Sequence, residues 1–386
     1  MGPSMTRTRD QDACPGALTV HQAADGALVR IRLAGGAITA AQLAALADVA
    51  SNFGSPAMEL TSRGNIQIRG LTDTDAVAAA LADAGLLPSP THERVRNIVA
   101  SPLSGRCGGV ADVAALVTEL DAAIQAEPDL AGLPGRFLFG LDDGRGDISG
   151  LGPDAGVHML DADAGALLLG GVDTGVRIPR AEVVPTLVTV ARRFAAGRGK
   201  AWRVGELEDR SLLLAGLTPA VPGGQRWAPT VRPPVGWIEQ RDGRVALGAG
   251  VRLGVFSARD AQFLAAIEAP IAITPWRSVL VFDLDESVAD TALRVLAPMG
   301  LVFDENSPWL DVSACTGSPG CAKSLTDVRA DAAAAAQDTA AAAAAAQEPY
   351  SGHRHFVGCD RACGSPPVGD VLVATEDGYR LRIAPP

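Results

Sequence analysis

Hydrophobic positions along this chain follow two rhythms that alternate in a fixed order. From Gly16 to Gly85, Ala27–Leu33 alternates apolar and polar, Thr39–Ser51 repeats at helical spacing, Met58–Arg69 alternates again and Asp73–Ala84 is helical. Strand, helix, strand, helix predicts half of a ferredoxin-like unit. From about 90 to 216 helices such as Val110–Ala126 mix with strand-like Val157–Leu160 and Ala166–Gly170. Leu217–Gly236, with Thr218–Gly224 and Pro233-Pro234, reads as a linker. The first rhythm then starts over, with strands at Arg244–Leu253 and Ser278–Phe282 and helices at Ala258–Glu268 and Ser287–Pro298.

A shift of 215 positions lays Gly85 on Gly300, Leu86 on Leu301 and Gly105 on Gly320, and puts Ala100 and Arg106 where Cys315 and Cys321 stand. The chain therefore divides into an N-terminal arm (1–16), a first half unit (17–88), a first α/β domain (89–216), the linker (217–236), a second half unit (237–300) and a C-terminal domain (301–386). The arm is expected to be disordered. Within the last domain the Ala-rich run Asp331–Gln347 reads as a scaffold helix, with a disordered insert as the alternative. Starting just after Cys321, such a helix would turn its positive end towards an anionic group.

Four of the six cysteines form two short pairs, Cys315-x5-Cys321 and Cys359-x3-Cys363, set among Gly317, Pro319, Gly320, Gly358 and Gly364. Two tight pairs on two loops can bring four thiolates around an iron–sulfur cubane, and the glycines let the main chain approach it. Zinc is an alternative, although its usual pairs are C-x2-C or C-x4-C. Disulfides are another, but the chain opens without an apolar signal core.

The 386 residues, 47% of them hydrophobic, suffice for two or three cored domains. No apolar run is long enough to span a membrane, so a cytoplasmic protein is expected. A net charge of −11 and two tyrosines argue against a nucleic-acid partner. Lys200 and Lys323 are the only lysines; the other cations are arginines, whose forks suit carboxylates.

Arginines gather in two places. In Thr61–Gly70, Asn65, Gln67 and Arg69 share one strand face and Ile66 and Ile68 the other, so the polar row faces water or lines a binding surface. Arg94, Arg96, Asn97 and Arg106 crowd a second Gly/Pro loop. These segments, with Leu133-Pro-Gly-Arg-Phe and the cysteine pattern in the same order, resemble the sulfite and nitrite reductase family from about residue 20 onwards.

The resemblance implies an α+β fold of duplicated nitrite/sulfite reductase architecture: two ferredoxin-like half domains and two mixed α/β domains with pseudo-two-fold symmetry. Within that family the chain is most similar to the precorrin-3B synthase branch. Arg136 and Leu138 stand where the reductases carry lysines for a small anion, and Asp142-Asp143-Gly144-Arg145-Gly146-Asp147 resembles an Asp/Gly-rich segment of that branch.

That likeness implies O2-dependent hydroxylation of precorrin-3A at C20 with lactone formation. A 4Fe-4S cluster on Cys315, Cys321, Cys359 and Cys363 would carry the electrons. Substrate carboxylates would be held by Arg63, Asn65, Gln67, Arg69, Arg96, Asn97, Arg106 and Arg136, with Arg277 behind them. It also implies a mononuclear non-haem iron, for which His353 and His355 are the candidates, two apart on one strand face. NADH would be the ultimate reductant, through a separate reductase or ferredoxin, because no dinucleotide-binding glycine motif follows a strand. A sirohaem-dependent reductase and a non-enzymatic iron–sulfur electron carrier are the alternatives.

Overall fold

A computed structural model describes residues 12–345 and 352–383. The first rhythm folds as β1 (His21–Ala23), β2 (Gly26–Ile31), β3 (Ala37–Ile38), α1 (Ala40–Phe53), β4 (Ala57–Leu60), β5 (Ile66–Leu71) and α2 (Thr74–Asp83). Thr39 and Gln42 cap α1 reciprocally and Asp73 caps α2. The expected strand Met58–Arg69 is a hairpin: β4 and β5 pair antiparallel, and Thr61–Asn65 turns between them. Residues 1–11 of the expected arm lie outside the described residues. Its last five are packed, since buried Asp12 accepts from Arg94 Nη2 through both its carbonyl and its carboxylate, each at 2.8 Å.

The middle of the chain supplies β6 (Ile98–Ala100), α3 (Ala114–Ala126), β7 (Phe139–Asp142), β8 (Ala155–Met159), β9 (Ala164–Leu169), β10 (Val172–Pro179) and α4 (Val183–Gly197). Its sheet runs β10-β9-β8-β7-β6, with β6, β7 and β8 mutually parallel. α3 starts at Ala114 rather than Val110, because the Val110 amide donates to the Asp143 carbonyl. Phe137, Phe139 and Phe194 meet ring to ring in the core beneath the sheet, with centroids 5.0 and 4.9 Å apart.

The second repeat comprises β11 (Gly236–Glu239), β12 (Val245–Gly250), β13 (Val255–Ser257), α5 (Ala258–Ala265), β14 (Ile271–Ile273), β15 (Ser278–Leu284) and α6 (Glu286–Leu296). The two half-unit sheets have matching orders, β1-β2-β5-β4-β13 and β11-β12-β15-β14-β3, each completed by a strand of the other repeat. The turns match as well. Gly64 N–H donates to Thr61 O at 3.2 Å and Thr61 N–H to Asn65 O at 2.9 Å; Arg277 N–H donates to Thr274 O at 3.2 Å and Thr274 N–H to Ser278 O at 2.9 Å. Gly35 (φ 61, ψ 11) likewise corresponds to Leu253 (φ 54, ψ 14). The expected duplication is thus present in backbone geometry.

Beyond α6 come β16 (Val312–Ala314), α7 (Val328–Ala344), β17 (Arg354–Val357), β18 (Asp370–Thr375) and β19 (Gly378–Leu381). The Ala-rich run is helical, as expected, and starts three residues earlier, where Asp327 accepts from the amides of Arg329 and Ala330; Gln347 lies outside the described residues. Val328, Ala332 and Ala336 form its buried stripe.

The described chain makes two compact units. One holds the residues up to Thr19, Ile31–Ala37 and Gly85–Thr230; the other holds Val20–Arg30, Ile38–Ala84 and the residues from Val231 onwards. The linear divisions expected at 16, 88, 216, 236 and 300 separate repeats along the sequence, whereas packing groups distant segments together. Truncating Phe137 to Ala removes a fully buried ring with two aromatic neighbours, and is expected to cost about 3–5 kcal/mol in a denaturant titration.

Candidate functional site

The four cysteines of the two pairs sit on loops that leave the same ends of two adjacent parallel strands. β16 pairs with β17 in the register Ser313 to His355 and Ala314 to Phe356, so the loops from Cys315 and from Gly358 start side by side. The Cys315 amide donates to Phe356 O at 2.9 Å, the Gly358 amide to Cys315 Sγ at 3.4 Å, and the Leu325 amide to Gly358 O at 3.2 Å. Gly358 admits no side chain, since a Cβ there would lie 1.7 Å from Ser324 Oγ. Cys315, Cys321 and Cys359 are half-buried and Cys363 is exposed.

The sulfurs feel one another: partial burial and then the charge of Cys315 push the Cys363 thiol up, with Cys359 and Cys321 adding to the effect and Arg361 opposing it. Among the described residues, one group of three or more His, Cys, Asp or Glu has its ligand atoms all within 4.8 Å, and it contains none of these cysteines. A single tetrahedral zinc would draw its sulfurs to ~3.8 Å of one another. The wider spread and the two-loop arrangement suit a larger, anionic inorganic core.

Next to these loops, the polar row of β5 is buried rather than wet. Gln67 Nε2 donates to Glu59, Gln67 Oε1 accepts from Arg30 Nη2 at 2.9 Å, and Glu59 also pairs with Arg329. Arg69 pairs through Nε and Nη2, both at 2.9 Å, with Asp25, and Nη2 donates to Gly320 O at 2.6 Å inside the first cysteine loop. Arg63 is half-buried in the turn between β4 and β5.

His353 and His355 converge on one hydroxyl. Ser313 Oγ lies 2.7 Å from His353 Nε2 and 2.7 Å from His355 Nδ1, while His355 Nε2 donates to Cys363 O at 3.0 Å. Burial first, and then the Arg277 charge, lower His355 to about 3, so its ring is neutral and Nδ1 accepts the serine proton. Both nitrogens of this fully buried ring are engaged with protein groups. In this arrangement the pair braces the Cys363 loop.

The other unit repeats the same backbone scheme without the cysteine set. The Ser101 amide donates to Leu141 O at 3.0 Å and the Asp143 amide to Ser101 Oγ at 3.1 Å, matching Cys315 with Phe356 and Gly358 with Cys315 Sγ. The Cys107 amide donates to Leu103 O at 3.0 Å, as that of Cys321 does to Gly317 O at 2.8 Å. The residues in the cysteine positions are therefore Ser101 and Cys107, one beyond the Ala100 and Arg106 given by the uniform shift. Sheet pairing sets this alignment, and connections of unequal length shift it.

Asp142, Asp143 and Asp147 fill this second loop pair, all buried and with carboxylate oxygens within 4.8 Å of one another. The Asp142 carboxylate accepts the amides of Gly144, Gly146, Ile148 and Ser149, and despite its burial stands at about 2 because the His158 contact and these amides outweigh desolvation. Asp143 takes the Arg145 fork, and Arg145 Nη2 also donates to Cys107 O at 2.6 Å. Asp147 has Ser101 Oγ at 2.6 Å. Burial, with Asp142 and Asp143 adding to it, raises Asp147 to about 7.

The remaining expected binding residues lie in this same unit. Arg96 is bidentate to Asp121, with both contacts at 2.7 Å; the Asn97 amide donates to Gly135 O at 2.6 Å; and Arg136 lies over the Trp202 ring at 5.4 Å. Arg106 is half-buried on the loop from Ser101 to Cys107. The Asp142–Asp147 segment stood out in the sequence, but its links to Ser101 and Cys107 did not, and Arg329 carried no signal beyond residue type because its partner Glu59 is distant in sequence.

Raising the pKa of an acid on folding costs stability as pH rises from the unfolded value near 4 through the folded value near 7, where the unfolded chain alone gives up the proton. Asp147→Asn removes that cost, so the melting temperature of the variant relative to the parent should increase between pH 4 and pH 8. A pH-independent difference would show that Asp147 is ionised in the fold.

Comparison with known proteins agrees with this architecture. Residues 21–84 match the nitrite/sulfite reductase ferredoxin-like half domain. Over 96% of its length the chain is 27% identical to a precorrin-3B synthase from Sinorhizobium sp., of which 82% is covered. It is 26% identical over 38% of its length to an assimilatory ferredoxin-dependent nitrite reductase from Haloferax mediterranei, of which 27% is covered. The solved structure of the Mycobacterium tuberculosis NirA protein superposes with a TM-score of 0.75 at 20% identity, over 92% of this chain and 74% of that one. Residues 21–84 thus carry that half domain, and the fold of that solved structure extends over most of the chain.

Proposed function

We propose that this chain is a precorrin-3B synthase, an oxidoreductase that inserts one oxygen atom of O2 at C20 of precorrin-3A, with lactone formation. The observation that carries the reading is the similarity to a protein of that name along 96% of the chain. Cys315, Cys321, Cys359 and Cys363 would hold a 4Fe-4S cluster, which when bound supplies single electrons. Hydroxylation consumes two electrons and two protons as the second oxygen atom leaves as water. A ferredoxin or reductase, fed ultimately by NADH, would be their source.

The arginines would hold the carboxylates of the macrocycle. Arg69 and Arg96 already present their forks to Asp25 and Asp121. A substrate carboxylate would replace a protein carboxylate, and the count of charged hydrogen bonds would be preserved. Asn97, which ties its amide to Gly135 O, would shape the loop that carries Arg136. Leu138 is buried, with its amide donating to Asp154 Oδ2, so one of the two lysine positions for a small anion is occupied by core. This disfavours sulfite or nitrite as substrate, while the partial likeness to a nitrite reductase keeps that reaction as the second reading.

Incubation with precorrin-3A, O2 and a reducing system should give a product heavier by one oxygen atom, and no product without O2. A sirohaem absorption band in protein purified without air would instead favour the reductase. Cys363→Ser should lose iron and sulfide. Arg96→Ala should keep the cluster and reduce turnover at least tenfold, because a lost charge-assisted contact is worth about 1.5–3 kcal/mol; full turnover would show that Arg96 does not hold the substrate, and a cluster-bearing parent that never converts precorrin-3A would leave an electron-carrier role.

A further inference from the structure

Arg277 occupies a backbone position that its own repeat partner gives to glycine. In the turn between β14 and β15 it has φ 55, and the matching residue between β4 and β5 is Gly64 at φ 65. A long side chain in the left-handed region strains the backbone, and such residues persist where the surrounding structure holds them in place, often at functional sites. The rest of the turn is tightly fixed: Thr274 and Ser278 are fully buried, with their hydroxyls 2.5 Å apart.

The side chain runs along Gly254, where a Cβ would lie 2.6 Å from its Cδ, and Nη2 donates at 2.8 Å to the carbonyl of Gly364, the residue after Cys363. Among the described residues Arg277 has no carboxylate within ion-pair distance. The charged and titratable groups that face it are Arg329, Glu59, His353 and His355. Glu59 is already shared by Arg329 and Gln67. Burial and Arg329 lower the guanidinium to about 10, which leaves it charged at neutral pH. A half-buried cation with no carboxylate at ion-pair distance, and with Glu59 already engaged elsewhere, is stabilised by a further anion nearby, and the neighbouring cysteine loops are where one would stand.

We infer that Arg277 is a positioning residue for the cysteine-held cluster, its guanidinium fixing the loop behind Cys363 and acting as counter-charge to the cluster. The inference rests on the cluster reading given above. One electron from a low-potential donor adds one negative charge to an already anionic cluster. A fixed cation therefore stabilises the reduced form more than the oxidised form and raises the midpoint potential.

The test is a dithionite titration of the full chain, purified without air and followed by electron paramagnetic resonance, with iron and sulfide content measured in parallel. Arg277→Gln should keep the full iron and sulfide content and shift the midpoint to more negative values, and Arg277→Lys should stay near the parent. Arg277→Gly removes the charge while relieving the left-handed strain, and so should shift the potential as the Gln variant does without lowering the melting temperature. An unshifted midpoint in the Gln and Gly variants with intact clusters would overturn the inference, as would loss of the cluster from the Lys variant. Absence of iron and sulfide from the parent protein would remove the cluster reading itself.

Discussion

The parallel pairing of two very short strands is the constraint on which this molecule turns. β16 and β17 contribute three and four residues, yet their shared direction brings two loops, separated in sequence by the whole of α7, out of the same sheet end. Antiparallel strands would have sent the loops to opposite ends, and no spacing within C-x5-C or C-x3-C could have corrected that. α7 is the crossover that a parallel pair requires, and its alanines suit the task because Ala332 and Ala336 bury closely against the sheet without bulk.

The same scheme recurs between β6 and β7, where it is filled differently. Ser101 takes the place of Cys315 and accepts the equivalent amide, but the space between the loops holds Arg145 and three aspartates. Three buried carboxylates cannot all be ionised opposite one guanidinium without cost. The charge is settled by giving Asp142 four backbone amides, Asp143 the arginine, and Asp147 a raised affinity for its proton. One backbone arrangement thus carries two different fillings, a set of four cysteines in one case and a salt-bridged polar plug in the other.

Much of this was legible in the chain and some of it was not, for physical reasons. The helices α1, α2, α5 and α6 announced themselves through spacing, and the cysteine pairs through their glycine surroundings. The Thr61–Asn65 turn was hidden inside a run that alternates across it, since alternation continues through a hairpin when the turn is itself polar. The polar row Asn65, Gln67 and Arg69 was read as facing either water or a ligand. Gln67 meets Glu59 and Arg30, Arg69 meets Asp25, and Glu59 in turn meets Arg329, 270 residues away. A partner at that distance has no local signature, so residue type could mark these side chains as important without saying what they touch.

The arginines show how the two kinds of information combine. Sequence pattern grouped Arg63, Arg69, Arg96 and Arg106 with one task, whereas geometry separates forks already paired, at Arg69 and Arg96, from Arg277, which among the described residues has a carbonyl but no carboxylate at ion-pair distance. A paired guanidinium can exchange one carboxylate for another at small cost, which suits reversible binding of a polyanion. One held by a carbonyl on a strained backbone cannot relax without losing its turn, which suits a fixed field. Gly64 at the equivalent turn shows that the backbone does not need an arginine there; the side chain is what the second repeat added, and it points at the loop that follows the last cysteine.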